Sequence, residues 1–249
     1  MATIAIGDVH GQLPQLADVL GQLAPTLGNG DTVVFLGDYI DRGPDTRGCV
    51  DAILQFRNEV SADVVGLLGN HEDWMVRTLG DHSHHAWLLG MDAFETIASY
   101  SAEAAHELRA AAKHAGLSLY TDTVTLPYER FFDCLPAAHR QFFETLRVYH
   151  RTDDCLCSHA GLDPAIADPA SQSRRAWIWG EGMFPLAYRG DETLVYGHRN
   201  NAVIDAHGWP QPAVHGRAIG IDTIAHGVLT AIRLPGGHVV QSARGARRA

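Results

Sequence analysis

Cysteine is scarce in this sequence: four residues in 249, at Cys49, Cys134, Cys155 and Cys157. They show no C-x-x-C spacing and no dense framework, which excludes a small disulfide scaffold. In a chain of this length they are expected as reduced core thiols, and a reducing cytoplasm fits that state. Long apolar runs are missing too: none approaches the roughly 20 residues of a membrane span. Met1 leads almost at once into TIAIGD without a basic n-region, so no secretory signal is expected. Positive charge is in short supply, with 19 Lys and Arg against 29 Asp and Glu and a formal net charge of −10. That argues against nucleic acid or an anionic membrane as a general partner. It leaves room for a local positive site, which bound metal ions would supply. There is no internal repeat, low-complexity tract or linker, so residues 1–249 read as one domain. The small basic segment at 242–249 reads as a frayed tail. No feature specifies an oligomeric state.

What is present is ordinary globular material, 46% hydrophobic and 19% charged. It is arranged as alternating strands and helices. TIAIGD is a short apolar strand, and LPQLADVLGQL carries leucines at helical spacing. GNGD is a turn, TVVFLGD a second strand, TRGCVDAILQFRNEV a second helix and DVVGLLGN a third strand. This order implies parallel βαβ units and an α/β fold. Residues 72–150 are mainly helical and read as one wall of a cleft, either a substrate-selecting lid or a purely structural layer. The final third returns to β through DCLCSHAG, TLVYGHRN and two or three strands within AIGIDTIAHGVLTAIRLPGGHVVQS.

Ligands of parallel sheets sit beyond the carboxyl ends of the strands. The first three strands end alike, in IGDVHG, LGDYIDRG and LGNHED. Three unrelated loops would not make that choice independently. Asp8, His10, Asp38, Asn70, His159 and His198 form the candidate metal set, each at or near a strand end. Oxygen and imidazole donors suit Mn, Fe, Zn or Ni, and the set holds no cysteine, unlike a structural zinc site. Six ligands exceed the needs of one four-coordinate ion. Asp38, in the middle of the set, is placed to bridge two ions roughly 3.5–4 Å apart. Arg42 is the candidate phosphate clamp. Asp41 is the candidate orienter of His71, which would then act as proton donor.

These motifs, GDVHG, GDYIDRG, GNHE, SHAG and GH, resemble in order and spacing the signature of phosphoprotein phosphatases within the calcineurin-like metallophosphoesterases. The resemblance covers essentially the whole chain and is strongest to the small bacterial and phage serine/threonine type, similar to the lambda-phage phosphatase. It implies a four-layer αββα sandwich with two mixed sheets, a helical insertion and a dinuclear site, most simply of two manganese ions. Asp8 and His10 would bind the first ion, Asp38 would bridge, and Asn70, His159 and His198 would complete the second. A hydroxide between the ions would attack phosphorus directly, with Arg42 on the phosphate and His71, oriented by Asp41, protonating the leaving oxygen. The sequence departs from the pattern before the last histidine. The family usually places a second phosphate-binding arginine there; Trp179 or Glu181 stands in its place, and either one of Arg174, Arg175, Arg189 and Arg199 substitutes or the clamp is incomplete. The leading expectation is a phosphatase of phosphoserine or phosphothreonine in proteins. A hydrolase of dinucleoside polyphosphates or other small phosphate esters comes second, and a non-catalytic phosphate-binding protein is the remote third. The plainer readings make DHSHH a solvated loop and place Trp177, Trp179, Phe184, Cys155 and Cys157 in the core.

Overall fold

The computed structural model describes residues 1–121 and 124–245. Its first third alternates β1 (Thr3–Ile6), α1 (Leu13–Leu23), β2 (Thr32–Phe35), α2 (Thr46–Glu59) and β3 (Asp63–Gly66). The helical wall follows as α3 (Asn70–Gly80), α4 (Ala86–Gly90), α5 (Ala93–Tyr100), α6 (Ala102–Ala115), α7 (Glu129–Phe132) and α8 (Ala137–Glu144). The last third holds β4 (Tyr149–Arg151), β5 (Leu156–Ser158), α9 (Arg174–Trp179), β6 (Leu194–Tyr196), β7 (Val203–Ile204), β8 (Pro210–Gln211), β9 (Ala213–His215), β10 (Ala218–Gly220), β11 (Thr230–Leu234) and β12 (His238–Gln241).

Two mixed five-stranded sheets result, in the orders β12-β11-β1-β2-β3 and β4-β5-β6-β10-β9. In the first, β1, β2 and β3 run parallel, β11 is antiparallel to β1 and β12 to β11. In the second, β5, β6 and β10 run parallel between antiparallel edge strands β4 and β9. Their alternating side chains divide the core. Ala5, Val34, Leu36 and Val65 of the first sheet meet Cys157, Val195 and Ile221 of the second in one buried cluster. The opposite face, with Ile4, Ile6, Val33 and Phe35, packs on Leu16, Val19, Leu20 and Leu23 of α1 and on Val50, Ile53 and Phe56 of α2. Outside the second sheet, Trp177, Ile178 and Phe184 cover Leu156, Leu194 and Tyr196. Layering of helix, sheet, sheet and helix follows from strands that are apolar on both faces.

Several elements differ from the sequence reading. Within the stretch read only as mainly helical, residues 93–115 form two helices, broken at Ser101, whose hydroxyl accepts the Ala104 N–H at 3.1 Å and caps α6. Helix α3 starts at Asn70, placing Asn70 and His71 in its first turn. His85 of the DHSHH stretch is buried rather than solvated, its ring bound to the Tyr128 hydroxyl and the Val124 carbonyl. Cys134 is exposed, while the other three thiols are buried. The tail does not fray over its described part: Leu229 donates its N–H to the Ser242 hydroxyl, and Gly245 donates to the Gly227 carbonyl. Residues 246–249 lie outside the described residues.

Candidate metal centre

The loops after β1, β2, β3, β5 and β6 bring the candidate residues to one edge of the sandwich. Asp8, His10, Asp38, Asn70, His71 and His159 are all buried. Close approach depends on glycine at two points. A Cβ on Gly69 would lie 2.1 Å from Asp38 Oδ1, and one on Gly197 would lie 2.0 Å from Asp8 Oδ1.

Two clusters of ligand atoms, each within 4.8 Å, share Asp38: His10–Asp38–His71 and Asp38–His159–His198. In the second, His159 Nε2 lies 3.2 Å from His198 Nδ1, and Asn70 Oδ1 stands 3.0 Å from both. Asp38 Oδ1 is 3.4 Å from His159 Nε2. His159 donates its Nδ1–H to the Leu36 carbonyl at 3.0 Å, so its Nε2 presents a lone pair. His10 likewise donates Nδ1–H to the Ile40 carbonyl at 2.9 Å and turns Nε2 toward Asp38 Oδ2 at 3.5 Å. Burial pushes His159 and His10 below the ordinary imidazole value and His198 down to about 3. Neutral imidazoles facing a carboxylate and an amide oxygen repel one another as lone pairs but suit divalent cations, so this donor set fits the expected ions. Burial works against the Asp38 anion, yet the imidazoles of His159, His71, His10 and His198 hold it below the usual carboxylate range.

Asp8 joins neither cluster. Its oxygens accept the His198 N–H at 3.2 and 3.0 Å. Burial and the nearby Asp222 and Asp38 carboxylates push its pKa well up. Arg42 Nη1 lies 3.0 Å from His10 Nε2, on the rim of the first cluster. His71 Nδ1 and Asp41 Oδ2 are 2.7 Å apart in a fully buried pair; His71 Nε2 lies 3.9 Å from Asp38 Oδ2 and has no hydrogen-bond partner among the described residues. Burial opposes the charge on His71, but Asp38 and Asp41 raise its pKa overall.

Four supporting residues have no role in the sequence reading. Glu72 accepts backbone N–H groups from Asp38, Tyr39, Ile40 and Gly69 at 2.8–3.2 Å, clamping the Asp38 loop onto α3. Trp87 and Thr96 of the helical wall donate to Asp41 at 2.9 and 2.6 Å. Asp222, after β10, accepts the Asn200 N–H at 2.6 Å, and its other oxygen is buried with no hydrogen-bond partner among the described residues. Only Glu72 left a local trace, as the fourth residue of GNHE. The others act across dozens of residues and carry no local signal. Among the proposed substitute clamps, Arg174 is tied to Asp73 at 2.8 Å and Arg189 donates to the Leu186 and Tyr188 carbonyls. Arg199 donates its Nη2–H to the Trp179 carbonyl at 3.4 Å.

A family model described as calcineurin-like phosphoesterase matches residues 1–227, and the chain belongs to that family. Its relatives divide by how much they share. A zinc-dependent endopolyphosphatase of Saccharomyces cerevisiae is 35% identical over 69 residues, which span 28% of this chain and only 20% of that protein. A bis(5'-nucleosyl)-tetraphosphatase (asymmetrical) of Oceanobacillus iheyensis is 25% identical over 253 residues, covering 92% of this chain and 87% of its own. A solved structure provisionally described as a diadenosine tetraphosphatase superposes with a TM-score of 0.61 at 22% identity, over 98% of this chain and 94% of that one. A cold-active protein-tyrosine phosphatase of a Shewanella species gives 0.54 at 13% identity, over 96% and 77%. At such identities these two structures show the common fold.

Proposed function

We propose that the chain is a metal-dependent hydrolase of phosphate compounds, with dinucleoside polyphosphates as its substrate class. The observation that carries the reading is the sharing of Asp38 by two clusters of ligand atoms. Asp8, His10 and Asp38 would hold one divalent ion, and Asp38, Asn70, His159 and His198 a second, with manganese favoured over iron, zinc or nickel. When bound, such a pair neutralises phosphoryl charge and acidifies water. Arg42 would take two phosphate oxygens through its planar guanidinium. His71 would deliver its Nε2 proton to the leaving oxygen. Asp41, held by Trp87 and Thr96, keeps the ring in place through Nδ1–H and stabilises the imidazolium. Much of the rate would come from this positioning and electrostatics.

The relative matched along most of its length is named for tetraphosphate cleavage, which supports the dinucleotide class. A phosphoserine or phosphothreonine phosphatase is the second reading, favoured by the intact Asp41–His71 pair at 2.7 Å. A reducing cytoplasm suits the four free thiols. The deciding assay measures phosphate release with Mn²⁺ from a phosphoserine peptide and, through a coupling phosphatase, from diadenosine tetraphosphate. Dominant dinucleotide cleavage is expected; dominant peptide turnover would reverse the order of the two readings.

A further inference from the structure

One cleft beside the metal centre has no role in the chemistry above. Helix α3 carries Asn70 and His71 in its first turn and Trp74 one turn later, so Asn70 and Trp74 share a face. The Trp74 ring packs on Trp179 of α9, with centroids 4.9 Å apart and planes inclined at 46°. The Trp179 ring in turn lies edge-on to His198, at 6.2 Å. A cleft of about 570 Å³ opens here, lined by both tryptophans, Asp73, Arg77, Arg174 and Arg175 among others. That volume falls within the roughly 300–1,000 Å³ of small-molecule sites. Trp87 and Trp177 are core residues at 0% and 2% exposure, whereas Trp74 and Trp179 are only partly buried.

The charge of this cleft opposes that of the chain. Asp73 is buried and binds two guanidiniums: Arg174 Nη2 at 2.8 Å on Oδ1 and Arg77 Nη2 at 2.9 Å on Oδ2. Three arginines therefore face one carboxylate, leaving a surplus of positive charge in a protein of formal net charge −10. The Arg77 and Arg174 side chains remain 57% and 53% exposed, so their outer N–H groups stay available. A flat aromatic platform beside spare guanidiniums, joined through Trp179 to a phosphoryl site, matches a ligand with a π face and several phosphates. A phosphopeptide offers one phosphate and no base.

We propose that this cleft is the subsite for a nucleobase and the phosphates distal to the scissile bond, with the base stacked on the Trp74–Trp179 pair and the outer phosphates on Arg77, Arg174 and Arg175. The assignment rests on the dinucleotide reading and extends it. Base–aromatic stacking contributes roughly 1–3 kcal/mol, so losing it should cost on the order of tenfold in affinity.

The test compares kcat/KM for diadenosine tetraphosphate, inorganic tripolyphosphate, p-nitrophenyl phosphate and a phosphoserine peptide, all with Mn²⁺. Trp74→Leu should lower the ratio of dinucleotide to tripolyphosphate about tenfold, mainly through KM. Trp74→Tyr, which keeps a π face, should largely retain that ratio. Arg175→Gln, at an exposed position, should lower both polyphosphate substrates relative to p-nitrophenyl phosphate. Wild-type protein that cleaves p-nitrophenyl phosphate but leaves the dinucleotide intact overturns the substrate reading and this subsite with it. Wild-type protein that cleaves the dinucleotide, with ratios indifferent to all three substitutions, overturns the subsite alone. A drop confined to phosphoserine-peptide turnover overturns it in favour of a protein-binding face.

Discussion

Five of the site residues hold a backbone conformation that L-residues avoid. His10, Asp38, Asp41, Arg42 and His198 have φ of 46°, 51°, 66°, 63° and 74°. Left-handed backbone costs a side-chain-bearing residue about 1–2 kcal/mol, and such strain collects at functional sites. Arg42→Gly should therefore stabilise the chain by about 1 kcal/mol, even after the flexibility glycine adds to the unfolded state. The same change should cut phosphate-ester turnover at least a hundredfold. Thermal denaturation and steady-state kinetics on one preparation check both, and a lowered melting temperature would remove the strain argument. The identity of these residues was legible because glycine and a carboxylate or amide recur after each strand. Their conformation was not, since nothing local marks an arginine for positive φ. A second outcome concerns pH. Despite burial, the Asp38 and Asp41 charges hold the His71 pKa above its ordinary value. If His71 is the proposed acid it must be protonated, so kcat should fall as pH rises through that raised value. Asp41→Asn removes a charge that raises the pKa and should move this alkaline limb to lower pH. A limb that stays in place would detach Asp41 from His71.

At the scale of elements, the helical wall reaches the chemistry directly. Trp87 of α4 and Thr96 of α5 donate to the buried Asp41 carboxylate, and the Asp41 N–H donates to the Thr96 hydroxyl at 2.7 Å. The wall is thus more than a cover: it fixes the residue that fixes His71. Thr96→Val keeps the volume and removes the hydroxyl from a charged acceptor, an interaction worth roughly 1.5–3 kcal/mol. A kcat lowered about tenfold, with metal content near wild type by elemental analysis, is expected. Unchanged kcat would return the wall to a structural role. Helical periodicity made the wall legible as helices. Its aim at Asp41 was hidden, because positions 41 and 96 are joined only by tertiary packing. The break at Ser101 was hidden for a milder reason: one serine in a run of helix formers reads as tolerated until its hydroxyl is seen capping the next helix.

At the scale of the whole molecule, two sheets deliver loops from opposite ends of the chain to one edge. The parallel core β1-β2-β3 was legible from its βαβ rhythm. The placement of β11 antiparallel beside β1 was not, since it joins residues 3–6 to 231–234. This convergence gathers Asp8, Asp38, Glu72 and Asp222 in one buried region. Without bound ions that concentration of carboxylates carries a pH signature. Burial, with the Asp38 charge, pushes Glu72 up from 4.5 to about 8. His71 is raised as well. Above pH 6.5 the folded state then holds protons that the unfolded state has released, so stability falls as pH rises toward 8. The depressed imidazoles His10, His159 and His198 run the opposite way, but only below about 6.5, where they charge in the unfolded chain. Chelator-treated protein should therefore melt at a lower temperature at pH 8 than at pH 6.5. Mn²⁺ at about a hundred times its dissociation constant should add roughly 2.7 kcal/mol, or on the order of 5–10 °C. Because the ions offset the carboxylate charge, they should also flatten the decline between pH 6.5 and 8. Differential scanning calorimetry across that range, with and without Mn²⁺, reads both effects. A melting temperature that ignores Mn²⁺ would mean that these ligands do not form a metal centre.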